Sequence, residues 1–178
     1  MKNFQPVILS LCAILAYCCQ SGVKTPSKLT VADSKVIGHE EEEKADLKKR
    51  SQALAVLDHR IKNDPETYAI IEAGVLNYLF VFNGSKISKS EDYVGDWINF
   101  KDDFTYEYGN FDTVQGEGRY HYSMDKSQLV MVDNNEKLNP QEWDIKSGGD
   151  VIIMIGSKTY GNNAFQIKLE RQPDRPTK

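Results

Sequence analysis

The feature that most constrains this chain is a series of short segments from residue 96 to residue 169. In several of them apolar and polar residues alternate, whereas residues 128–132 and 151–155 are compact apolar runs. Alternation with a period of two is typical of strands that bury one face. Turn residues such as Gly109-Asn110 and Gly161-Asn162-Asn163 separate the segments. Six or seven short strands at near-regular spacing predict an antiparallel meander, closed into a barrel or folded as a sandwich. The predicted strands are residues 96–100, 104–108, 116–123, 128–132, 142–146, 151–155 and 165–169.

The region before these strands, residues 39–84, has helical character. Within residues 44–62 the apolar positions follow helical spacing, which predicts an amphipathic helix. These positions are Leu47, Leu54, Leu57 and Ile61. A second helix is predicted from Pro65 to Phe82, although residues 79–82 also fit a strand and periodicity does not choose between the two. The predicted class is therefore mainly β, α+β overall, with one or two helices before the sheet.

The N-terminus has the character of an export signal. Residues 7–17 form an apolar run after Lys2, interrupted only by Ser10. This run is too short to span a bilayer, which needs about 20 apolar residues, but it has the length of a signal-peptide core. Residues 1–18 are therefore predicted to be a signal peptide. The cysteines, Cys12, Cys18 and Cys19, all lie within the first 20 residues, so no disulfide framework is expected in the remaining chain.

The sequence Leu15-Ala16-Tyr17-Cys18-Cys19 resembles the lipobox of bacterial lipoproteins. In that family, a cysteine after a small residue receives diacylglycerol and becomes the new N-terminus. Cys19 is the preferred lipidation site, because Cys18 before it is close to serine in size. Cys18 is the alternative, which Leu15 and Ala16 fit but Tyr17 does not. The resemblance implies a lipid-anchored protein of the bacterial cell envelope, at the outer membrane or facing the periplasm, with residues 19–38 as a flexible tether.

Gly95-Asp96-Trp97, placed after the helical region, resembles the Gly-x-Trp signature of lipocalins and of lipocalin-like domains in bacterial lipoproteins. The resemblance covers about residues 91–171. It implies a small barrel over residues 85–171, with Gly95 and Trp97 in structural roles. A full lipocalin has eight strands and a C-terminal helix, whereas this sequence shows about seven strands and no such helix. The preceding helices could cover the barrel instead, and residues 172–178 are predicted to be a disordered tail.

The aromatic residues of two consecutive strands share one face: Tyr106, Tyr108, Tyr120 and Tyr122. If this face points inward, it offers a wall for a small hydrophobic ligand. Alternatively, the rings fill the core and the protein is an interaction module, such as an inhibitor, an immunity factor or an assembly lipoprotein. The residues predicted to line a ligand cavity are Tyr106, Tyr120, Met131, Trp143 and Phe165.

No catalytic or metal-binding pattern is recognisable. The histidines, His39, His59 and His121, are far apart in sequence, and neither a His-x-x-x-His nor a Gly-x-Ser-x-Gly motif occurs. The sequence therefore predicts no enzyme, no metal and no cofactor. The net charge of −4 also gives no indication of a nucleic-acid partner.

Overall fold

The computed structural model describes residues 43–88 and 90–178. The predicted signal peptide and tether, with Cys18 and Cys19, lie outside this range. The described chain contains helices α1 (Glu43–Asn63) and α2 (Ala69–Glu72) and a 3₁₀ helix (Ser90–Tyr93). The strands are β1 (Val75–Asn83), β2 (Lys86–Ser88), β3 (Asp96–Phe100), β4 (Thr105–Asn110), β5 (Thr113–Ser123), β6 (Gln128–Asp133), β7 (Gln141–Gly148), β8 (Val151–Gly156) and β9 (Phe165–Gln172). Within the described residues, no helix has both the length and the apolar character needed to cross a membrane.

Eight of the strands form a closed antiparallel barrel. Strands β3 to β9 pair in chain order, and β1 pairs with β3 on one side and β9 on the other. Strand β2 lies outside this ring and forms a hairpin with the last residues of β1. The structure confirms the predicted fold class, since it is mainly β with a helix before an antiparallel barrel. Closure leaves no long free edge in the ring.

Strand β1 corrects the predicted second helix. Only Ala69–Glu72 is helical, and the residues from Val75 to Asn83 form a strand. The prediction failed because β1 has a register shift between Tyr78 and Phe80, which breaks the alternation of buried residues. The sheet therefore begins at residue 75 rather than 85, and β3 is not its first strand. The sequence predicted seven strands, and β1 is the eighth strand that closes the ring.

Helix α1 covers part of the outer face of the barrel. It confirms the helix predicted for residues 44–62. Ala53 and Leu57 are fully buried and pack against Val130 and Val132, which point outward from β6. Leu47 was predicted on the apolar face, but its side chain is 58% exposed. Helical spacing identifies the apolar face but does not indicate how far along the helix the contact with the barrel extends.

Chain segments also cover both ends of the barrel. Ile71 of α2, which precedes β1, is buried in the interior cluster. Tyr93 of the 3₁₀ helix, which precedes β3, belongs to the same cluster and stacks on Tyr78 with ring centroids 5.9 Å apart. Since β1 and β3 are antiparallel, the segments that precede them lie at opposite ends of the barrel.

The C-terminal tail contacts the outer face of the barrel. The Arg175 guanidinium lies 4.3 Å from the centroid of the Trp97 ring and forms an ion pair of 2.5 Å with Glu107. Residue 172 belongs to β9 rather than to the tail. An arginine can stack on an aromatic face and pair with a carboxylate at the same time. The disorder predicted for residues 172–178 stays a prediction.

The attachment of α1 can be tested with a pair of leucine substitutions. Leu57→Ala should lower the free energy of unfolding by about 2–4 kcal/mol, because it removes a fully buried side chain between the helix and the barrel. Leu47→Ala is the matched control on the same helix and should change stability by less than about 0.5 kcal/mol. Urea unfolding followed by circular dichroism measures both values. Equal effects would mean that the helix does not pack through Leu57.

Candidate functional site: the barrel interior

The barrel interior is a continuous cluster of 20 buried apolar residues. Every strand of the ring contributes to it. All five residues predicted to line a ligand cavity belong to this cluster, and each is at most 2% exposed. The structure thus brings Tyr106, Tyr120, Met131, Trp143 and Phe165 together, whereas their contact with a ligand stays a prediction.

Aromatic rings contact one another in the middle of this interior. The Phe100 ring centroid lies 4.9 Å from that of Tyr120 and 6.0 Å from that of Tyr106. Tyr106 also stacks on Tyr108 at 6.2 Å. Edge-on and offset contacts at these distances are favourable for aromatic pairs. Phe100 was missed as a site residue, although its position two residues after Ile98 places both on one face of β3.

The Tyr120 hydroxyl has partners within the protein. It lies 2.6 Å from Glu72 Oε1 and 2.6 Å from the Lys101 carbonyl oxygen. Burial, and then the Glu72 carboxylate, hold the pKa of Tyr120 well above its ordinary value. Glu72 belongs to the short helix α2, so the sequence prediction of one long helix there concealed its role.

The Tyr106 hydroxyl is directed to a buried carboxylate. It donates to Asp133 Oδ2 at 3.4 Å, and Asp133 is only 6% exposed at the end of β6. The backbone amide of Asn135 also donates to Asp133, at 2.7 Å to Oδ1. Burial raises the pKa of the Asp133 carboxyl, although these hydrogen bonds act in the opposite direction. The polar atoms of both predicted ligand-lining tyrosines are therefore satisfied internally.

Two glycines of β5 make room for the tyrosines of β4. A Cβ at Gly118 would lie 2.7 Å from the Tyr106 ring, and one at Gly116 would lie 2.2 Å from the Tyr108 hydroxyl. The glycine pair is thus explained by close packing across the sheet.

Gly95 and Trp97, predicted to have structural roles, both lie against Phe111. Gly95 has a φ of +84°, and a Cβ there would lie 2.5 Å from the Phe111 ring. Trp97 is fully buried and donates from Nε1 to the Phe111 carbonyl oxygen at 2.7 Å. Trp97 is absent from the interior cluster, and its ring lies under Arg175 on the outer side of the barrel.

The two histidines within the described range lie outside the interior cluster. His121 is fully buried, and its Nε2 lies 2.8 Å from the Asp64 carbonyl oxygen. His59 is exposed on α1. Among residues 43–88 and 90–178, no group of three or more His, Cys, Asp or Glu side chains is placed to hold a metal ion.

Comparisons with known proteins identify no family. No protein family and no curated protein matches the sequence. Among solved structures, similarity is found to the crystal structure of a DUF4847 family protein from Bacteroides vulgatus ATCC 8482. The two chains are 11% identical, the TM-score is 0.43, and the match covers 58% of this chain and 96% of that chain. The class of this protein, a closed eight-stranded antiparallel barrel with an external helix, is therefore defined by its own strand pairing.

Asp133 gives the interior a testable pH dependence. Because burial raises its folded-state pKa, its contribution to stability is fully present below the unfolded value of about 3.9 and is lost as the pH rises through the folded value. The asparagine side chain of the Asp133→Asn variant cannot ionise, so the variant does not lose stability in this way as the pH rises. The stability of the variant relative to the unsubstituted protein should therefore be greater at about pH 7 than at about pH 4. Urea unfolding at both pH values measures the difference, and a change in the opposite direction would contradict it.

Proposed function

We propose that this chain is a lipid-anchored protein of the bacterial cell envelope whose filled barrel is a scaffold for recognition of a partner at its outer surface. One observation carries the proposal: the hydroxyls of Tyr106 and Tyr120 hydrogen-bond to the protein's own groups. In a cavity built to receive a ligand, some polar groups are left to fix the orientation of that ligand.

The packing of the rings supports the same conclusion. A small hydrophobic molecule in the interior would have to displace rings that already contact one another around Phe100. It would also have to pass Ile71 or Tyr93, which are buried at the two ends. Interiors packed to this degree lose several kcal/mol when a large side chain is removed from its contacts. Binding within the barrel would therefore begin with a substantial energetic cost.

The lipid anchor is supported by the order of features along the sequence. A short apolar run ends at adjacent cysteines, and a polar stretch separates these from α1. Such a stretch would hold the barrel away from the membrane surface. Several acyl chains on one cysteine give durable anchoring, because each buried CH₂ contributes about 0.8 kcal/mol.

The anchor can be tested by metabolic labelling with a fatty-acid analogue in a bacterial host. Cys19→Ser should abolish incorporation of the label, because it removes the thiol that receives the lipid. Cys18→Ser is the matched control and should keep the label, since serine preserves the small size required before the cleavage site. The reverse result would assign the anchor to Cys18. Full labelling of both single variants and of the double variant would contradict lipidation at this position.

The filled interior can be tested with an apolar probe. The unsubstituted protein should gain no thermal stability from benzene, because aromatic rings already contact one another in the middle of its interior. Met131→Ala opens a cavity among apolar side chains at a cost of about 2–5 kcal/mol, and benzene should stabilise this variant. Met124→Ala, at a methionine that is 52% exposed, is the control and should not respond.

Native mass spectrometry gives a second measurement of the filled interior. The protein purified in detergent should show only the mass of the lipidated chain. A retained small molecule, or stabilisation of the unsubstituted protein by benzene, would contradict a filled barrel and would favour the interior binding site predicted from the sequence.

A further inference from the structure

A cleft of about 700 Å³ lies outside the barrel, between the last turns of α1 and the turn that joins β5 to β6. We propose that this cleft binds a short peptide with a free amino group and a free carboxylate. This peptide site rests on the proposed function in one respect, because that function assigns recognition to the outer surface of the protein. Tyr68 packs against the interior cluster, but the other residues that line the cleft do not belong to it, so the two proposals can fail separately.

The walls of the cleft offer apolar and aromatic surface. Ala55 and Val56 line it from α1, and Val56 is 36% exposed. Tyr68, from the segment between α1 and α2, also lines the cleft. Its ring meets that of Tyr122 edge-on, with ring centroids 5.8 Å apart. The contact with Tyr122 fixes the position of the Tyr68 ring, which a peptide side chain can then contact without a large entropic cost.

Charges of both signs line the same cleft. The cations are Arg60 and Lys126, and the carboxylates are Asp64 and Asp125. The Ser123 hydroxyl donates to Asp125 and thereby lowers the pKa of its carboxyl, so Asp125 is ionised at neutral pH. A ligand of a single charge would meet repulsion from one pair, whereas a ligand that carries both charges can match both pairs.

Two residues that line the cleft, His121 and Arg60, also carry nitrogen atoms buried beneath its surface. His121 Nε2 lies 2.8 Å from the Asp64 carbonyl oxygen and 3.6 Å from Asp64 Oδ2. Since both oxygens accept, Nε2 carries a proton. Arg60 Nη1 can only donate. Among the described residues, neither His121 Nδ1 nor Arg60 Nη1 has a hydrogen-bond partner, although both atoms are buried.

The topology places these two nitrogens in the same region. His121 and Ser123 are successive outward residues of β5, roughly 7 Å apart along the strand. Arg60 donates from Nη2 to Gln128, which is the cross-strand partner of Ser123. Both nitrogens lie below the accessible surface, so a peptide in the cleft would contact the charged groups above them rather than these two atoms.

The size of the cleft fits the same class of ligand. Its volume falls within the range of about 300–1,000 Å³ that is usual for small-molecule sites. A peptide of a few residues can therefore place its ammonium group near Asp64 and Asp125, its carboxylate near Arg60 and Lys126, and a side chain against Val56 and Tyr68.

The test uses the full chain in detergent and the tripeptide Ala-Phe-Ala with free ends, titrated by isothermal calorimetry. The free tripeptide should bind at a single saturable site. Acetylation of its amino end or amidation of its carboxyl end should each weaken binding by about fivefold or more, because each removes one charge-assisted interaction. Asp64→Asn and Lys126→Gln should weaken binding of the free tripeptide to a similar extent.

The matched control variants are Asp144→Asn and Lys146→Gln, whose side chains are exposed on β7 outside the cleft. Both should bind the tripeptide as the unsubstituted protein does. The absence of saturable binding at millimolar peptide, equal binding of the doubly blocked peptide, or equal losses in the control variants would each overturn the proposal. If the peptide does not bind and benzene does not stabilise the unsubstituted protein, the peptide site is rejected while the filled barrel stands.

Discussion

The pairing of β1 with β9 is the interaction on which the architecture depends. The two strands pair from Val75–Gln172 to Asn83–Phe165 and join the first and last strands of the ring. Without this pairing, the remaining strands would form an open sheet whose aromatic face meets solvent on one side. Closure turns that face into an enclosed interior and satisfies the backbone groups of both terminal strands.

Closure with eight strands also limits what the interior can contain. A barrel of this size has an interior just wide enough for side chains or for one small ligand. Here tyrosine rings occupy the middle, and glycines at Gly116 and Gly118 allow the rings of β4 to approach β5 closely. Each buried hydroxyl then needs a partner, since an unpaired polar group would cost stability. Glu72 and Asp133 provide those partners for Tyr120 and Tyr106.

Under the proposed function, recognition falls to the elements outside the barrel. Helix α1 follows the predicted tether in the sequence and forms one wall of the cleft. It is attached to the barrel through Leu57 and Arg60. His121 holds the chain just after this helix by its contact with Asp64. The position of the cleft thus depends on the rigid barrel beneath it, as is usual for binding sites built from loops and helix ends on a stable scaffold.

The sequence by itself determined the strands with regular alternation, the amphipathic helix α1 and the common face of the interior tyrosines. Local periodicity was sufficient there, because alternate residues of a strand must point to the same side. Tertiary structure decided the identity of β1, whose bulge disrupts that periodicity and whose strand pairing is long-range. It also decided the partners of Tyr106 and Tyr120, the placement of Arg175 on Trp97, and the cleft around His121. Each of these joins residues far apart in the chain, so no local pattern records it.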